Sequence, residues 1–179
     1  MSQFSDPDAT GPMAQGVAIF GEFVENAQGV TATVAVIGKK NEPLYLRLFD
    51  EYQTKELYFQ SLVFVSLDVI DECVERKAMQ QDMYLGFLCP IDEYQIYGYM
   101  TNSMIKFVVV LADVHRLQDF ELRDFFQKVH AAYVEYLLNP FAPLDGDKIK
   151  SARFDAAIER HVATILERPP PAPGPGAKA

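Results

Sequence analysis

The side chains best suited to nucleophilic or metal chemistry in this 179-residue sequence are two cysteines and three histidines. Cys73 and Cys89 lie 16 apart with no Cys-x-x-Cys pair and no clustered histidine, so neither a zinc site nor a dithiol redox motif is spelled out. His115, His130 and His161 fall in a loop and in two separate predicted helices. A nucleophile and base would have to pair Cys89 with one of them, and nothing in the spacing does so. No Gly-x-x-x-x-Gly-Lys-Ser/Thr loop, Gly-x-Gly-x-x-Gly turn, His-Glu-x-x-His helix or Gly-x-Ser-x-Gly elbow occurs. The sequence therefore offers no catalytic, cofactor-binding or metal-ligating residue, and a non-enzymatic role is expected.

One cluster does have order. Asp68, Asp71, Glu72 and Glu75 recur at i, i+3, i+4 and i+7, which lines four carboxylates along one face of a helix. A row of this kind is ordinarily a solvated face; its functional reading is a docking face for a basic partner. Asp68 is embedded in Val65-Ser66-Leu67-Asp68-Val69-Ile70, at the border of a predicted apolar stripe. A carboxylate there is costly to desolvate unless it finds a donor, and that donor could sit on another chain. Asn139-Pro140-Phe141 matches a short motif read by endocytic adaptor domains. Helix termination accounts for the same residues, with Asn in a left-handed cap, Pro preventing continuation and Phe folded back on the helix end. The proline-rich tail lacks basic residues that would orient it in an SH3-type groove, so it reads as a disordered terminus.

The elements that must position these groups belong to an ordinary soluble domain. Hydrophobic residues make up 49% and charged residues 23% of the chain, enough for one core without disulfide staples. The net charge of −9 repels phosphate backbones and anionic lipid heads, which argues against nucleic-acid binding and electrostatic membrane docking. Residues 1–12 lack the basic-then-apolar order of a signal peptide, and no apolar stretch approaches the ~20 residues that span a bilayer. A reduced, cytosolic setting without a membrane anchor is expected.

Periodicity places the elements. Residues 1–15 and the proline-rich 169–179 read as disordered, 16–29 is left open, and 30–168 forms one domain. Val30 to Ile37 is a strand buried on both faces, and Gly38 to Glu42 turns it into a second, Pro43 to Phe49. Residues 54 to about 79 form a helix with Thr54 as N-cap and a core stripe of Tyr58, Leu62, Val65, Val69 and Cys73. Met83–Leu88, ended by Pro90, Tyr94–Met100 and Ile105–Leu111 form a meander. A second helix runs from about Asp119 to Leu138 on Leu122, Phe126, Val129, Tyr133 and Leu137. A third runs from about Lys148 to Arg168 on Phe154, Ile158, Val162 and Ile165. The order β-β-α-β-β-β-α-α implies an α+β domain: one five-stranded sheet with helices on its faces.

This order, with several segments, resembles the sedlin branch of the longin-like fold, which implies a five-stranded antiparallel sheet with one helix on one face and two on the other. The segments are Val34-Ala35-Val36-Ile37-Gly38-Lys39 with Pro43-Leu44-Tyr45-Leu46-Arg47, then Ser66-Leu67-Asp68-Val69-Ile70-Asp71-Glu72 and Tyr84-Leu85-Gly86-Phe87-Leu88. They continue with Tyr94-Gln95-Ile96-Tyr97-Gly98-Tyr99-Met100-Thr101-Asn102-Ser103, Lys106-Phe107-Val108-Val109-Val110 and Asn139-Pro140-Phe141. The likeness covers about residues 30–166 and departs from the family in residues 1–29 and the tail. It implies a non-catalytic adaptor subunit of the transport protein particle (TRAPP) tethering and Rab guanine-nucleotide-exchange complex. Such a subunit works on endoplasmic-reticulum-to-Golgi and Golgi routes, contacts other subunits of the complex and serves a Rab GTPase only indirectly. It also implies that Asp68 corresponds to a first-helix aspartate involved in partner contact. Two other readings stand beside it. A longin-type SNARE needs a heptad helix and anchor after the domain, and a small-ligand domain needs an apolar pocket between sheet and helices.

Overall fold

Residues 31–76, 82–112, 117–141 and 148–166 are described by the computed structural model. The expectations placed on 1–15, 16–29, 169–179 and His115 lie outside them.

A run of apolar and β-branched residues with no polar alternation makes β1 (Thr31–Ile37), and every residue of it is buried because the sheet is covered on both faces. It pairs antiparallel with β2 (Pro43–Leu48) across a turn in which Asn41 takes φ 61°. The meander β3 (Tyr84–Ile91), β4 (Tyr94–Met100) and β5 (Lys106–Leu111) joins β1 through β5, giving the order β2-β1-β5-β4-β3. Helix α1 (Glu56–Arg76) carries the chain from the β2 edge to the β3 edge. The two-residue period of β5 divides the core. Val108 and Val110 pack toward α1, whereas Phe107, Val109 and Leu111 pack toward α2 (Asp119–Leu137) and α3 (Ala152–Leu166). One helix thus lies on one face and two on the other, the α+β longin-like arrangement.

Several local expectations are corrected. Pro90 does not end β3: it lies within the strand opposite Gln95, tolerated because β3 is an edge strand. Irregular register around Gly86, whose φ is 78°, breaks the regular ladder along that edge. Thr54 is not an N-cap; a 3-10 turn over Asp50–Lys55 leads directly into α1. Helix α3 begins at Ala152 instead of Lys148. Ile149 first donates its N–H to the Leu44 carbonyl at 2.8 Å, covering part of the β2 edge, and the Ser151 hydroxyl then accepts from the Phe154 N–H. Leu137 is half exposed, so the buried stripe of α2 ends at Tyr133.

Candidate partner-binding surface

Helix α1 is apolar nearly all the way round between Leu57 and Ile70, and its core face is set by packing. The buried residues are Phe59, Leu62, Val63, Ser66, Leu67 and Ile70. The expected stripe is therefore rotated: Val65 is 57% exposed, and Tyr58, Val69 and Cys73 are only partly covered. Phe59 anchors the helix, with its ring edge-on to Tyr52 and Tyr94 at centroid separations of 5.4 and 5.1 Å. Ser66 sits in the middle of the core face because its hydroxyl donates to the Val63 carbonyl at 2.7 Å and leaves no orphan.

This rotation relocates Asp68. Nine residues after Phe59, it projects about 180° from it. It lies on the outer face and not at the border of the core stripe, so no buried donor is needed for it. The four carboxylates do share the outer side, all of them exposed, but not their surroundings. Asp71 accepts from the Lys106 ammonium at 2.7 Å; that ammonium belongs to a buried strand residue and also donates to Asn41 Oδ1 at 2.8 Å. Glu72 pairs with Arg76 one turn on. Asp68 and Glu75 make no ion pair or hydrogen bond among the described residues. Glu75 stands in the last turn, where a negative charge opposes the helix dipole, so helix stability does not explain it.

Beside the acids on the same outer face stand three residues that sequence reasoning missed. Leu57 is 81% exposed, and Phe64 and Val65 are also exposed. The outer face of α1 thus carries exposed apolar groups at Leu57, Phe64 and Val65 and turns acidic from Asp68 on. The missing signal was the phase of the helix: with apolar residues on all sides, spacing alone does not say which stripe is inside.

The histidines and cysteines do not converge. Cys89 packs at the edge of the α1-side core, and burial pushes its thiol pKa up, away from thiolate. His130 lies on the other side of the sheet, its Nδ1 3.0 Å from the Tyr99 hydroxyl, and burial lowers its pKa. His161 lines a hollow of about 130 Å³ between α2 and α3. Its pKa is also lowered, first by burial and then by Arg160 and Lys128. That hollow lies in the helix seam and not between sheet and helices, where a small-ligand reading would place it. Among the described residues no group of three or more His, Cys, Asp or Glu is placed to hold a metal ion. No described helix is long and apolar enough to cross a membrane.

Comparison with known proteins agrees with this architecture. The family model described as Sedlin matches residues 36–164, from within β1 through nearly all of α3. The "Trafficking protein particle complex subunit 2-like protein" of Bos taurus is 43% identical over 130 residues, spanning 70% of this chain and 91% of the relative. The protein of that name from Xenopus tropicalis is 42% identical over 130 residues, again 70% and 91%. The one from Dictyostelium discoideum is 37% identical over 135 residues, or 74% and 96%. The chain belongs to the sedlin family.

Proposed function

We propose that this chain is a non-catalytic adaptor subunit of a trafficking protein particle (TRAPP) complex, using the outer face of α1 to dock a neighbouring subunit. Membership of the sedlin family, whose relatives carry that complex in their names, supports the class. The observation that carries the site is the juxtaposition on α1 of exposed Leu57, Phe64 and Val65 with the carboxylates of Asp68 and Glu75, which have no partner among the described residues. Apolar groups without a partner in the fold gain by burial against another chain, and the carboxylates set register and orientation. Asp71 and Glu72, both engaged within the chain, complete the negative field. On this reading the chain bridges other subunits, supports exchange on a Rab GTPase through them, and works at the cytoplasmic surface of Golgi and endoplasmic-reticulum-to-Golgi membranes through the complex. It needs no cofactor.

The test is Asp68→Tyr. Because residue 68 points away from the core, a tyrosine stays at the surface and the melting temperature should hold. Loss of a charge pair across an interface costs roughly 2–5 kcal/mol, so recovery of at least one neighbouring subunit should fall steeply. Unchanged recovery of every subunit removes the docking face. Collapse of the fold removes the orientation assigned to Asp68.

A further inference from the structure

The turn that follows α2 displays Asn139-Pro140-Phe141; Pro140 bars continuation of the helix, but the left-handed cap and the folded-back ring expected there are not found. Asn139 is not left-handed; the left-handed non-glycine residues among those described are Asn41, Asp92 and Met104. The helix end is closed by its own backbone, with the Leu138 N–H on the Val134 carbonyl at 3.0 Å and the Asn139 N–H on the Tyr136 carbonyl at 3.2 Å. Phe141 does not fold back: it is 92% exposed, more than any other large apolar residue described. The turn is nonetheless shaped. Asn139 Oδ1 accepts from the Phe141 N–H at 3.1 Å, and the proline between them fixes its own φ, so the three residues form an Asx turn that carries the phenyl ring outward. Exposed Leu137 and Leu138 flank it.

We infer that Asn139-Pro140-Phe141 is a second docking element, distinct from the α1 face, for a folded adaptor domain of the class that reads Asn-Pro-Phe peptides. The chemistry required of that domain is a pocket deep enough for one phenyl ring, with an acceptor at its rim for the Asn139 amide N–H groups. Those groups stay free when Oδ1 is held by the backbone. A turn already formed loses little conformational entropy on binding, which compensates for the small area of three residues. The flanking leucines extend the apolar rim.

The test uses the full chain as competitor for a fluorescein-labelled Asn-Pro-Phe peptide bound to a purified domain that reads it, followed by anisotropy. The unmodified chain displaces the peptide. Phe141→Ala weakens displacement by roughly thirtyfold or more, the loss that accompanies truncation of a hot-spot aromatic. Pro140→Ala, which loosens the turn but keeps both side chains, weakens it less. The melting temperature of Phe141→Ala stays that of the unmodified chain. Failure of the unmodified chain to compete, or equal competition by Phe141→Ala, overturns the inference. A clearly lower melting temperature for Phe141→Ala assigns the ring to the fold, and a dimer that this substitution dissociates assigns it to a second copy; either result also overturns it.

Discussion

Asp71→Ala and Glu72→Ala remove adjacent exposed carboxylates, each from an ion pair, and the fold makes them unequal. Lys106 is only 4% exposed at its side chain and gives its ammonium to Asp71 and Asn41. Removing one partner of a fully buried pair costs roughly 3–5 kcal/mol, because the remaining charge is left uncompensated. Here the carboxylate is 56% exposed and Asn41 remains as an acceptor, which brings the expected loss to about 2 kcal/mol. For a domain of this size that lowers the melting temperature by about 6 °C. Glu72 and Arg76 are 70% and 69% exposed, so Glu72→Ala should cost about 0.5 kcal/mol or less, roughly 1 °C. Calorimetry on both variants decides it. Adding Lys106→Met to Asp71→Ala should recover part of the loss, since an apolar chain of similar length needs no counter-charge. Equal shifts for the two single variants, or a double variant weaker than Asp71→Ala, would refute the assignment of Lys106 as a buried cation dependent on Asp71.

Phe59→Ala should cost about 3–5 kcal/mol whereas Phe64→Ala should stay within about 0.5 kcal/mol in denaturant titrations, because only Phe59 faces the core; similar losses would restore the stripe expected from spacing. Stability should also fall in acid. His130 and His161 have folded pKa values below their ordinary 6.5, so the unfolded chain binds more protons between those values and 6.5. Their contribution is complete above pH 6.5 and is lost as pH falls through that window, and His130→Gln should flatten the melting-temperature profile there.

What the sequence made legible was whatever one period could encode. β1 and β5 were readable from β-branched runs, β4 from the turn residues that bound it, and the helices on both faces from the order of elements. Stripes were readable only where apolar residues were confined to one side. Helix α3, with Phe154, Ile158 and Val162 buried, has a single apolar face, and its stripe was read correctly although its start was not. Helix α1 has apolar residues on every side, so its rotation depended on Phe59 meeting Tyr52 of the preceding turn and Tyr94 of the distant β4, and on a serine that the core accepts because it bonds to its own helix. The carboxylate row was legible as a row. Its division into Asp71, held by a strand lysine 35 residues away, and Asp68, held by nothing described, was not, because pairing between a helix and a distant strand leaves no mark in local spacing.

That pairing also ties the fold to the proposed docking face. Lys106 lies in the central strand, and its bond to Asp71 pins the C-terminal half of α1 at one angle of roll, while the rings around Phe59 pin the N-terminal half. Fixed at both ends, the helix must turn Leu57, Phe64 and Asp68 outward together. A helix free to roll by one residue, about 100°, would bury a different apolar set, since ten of the fourteen positions from 57 to 70 are apolar. The ammonium under Asp71 opposes that alternative, because rolling would strand a buried charge. A buried lysine at the start of a central strand is a poor stabiliser when compared with an apolar residue of the same size. Its value here is specificity: it selects one of several apolar faces for the core and so determines which residues remain for a partner.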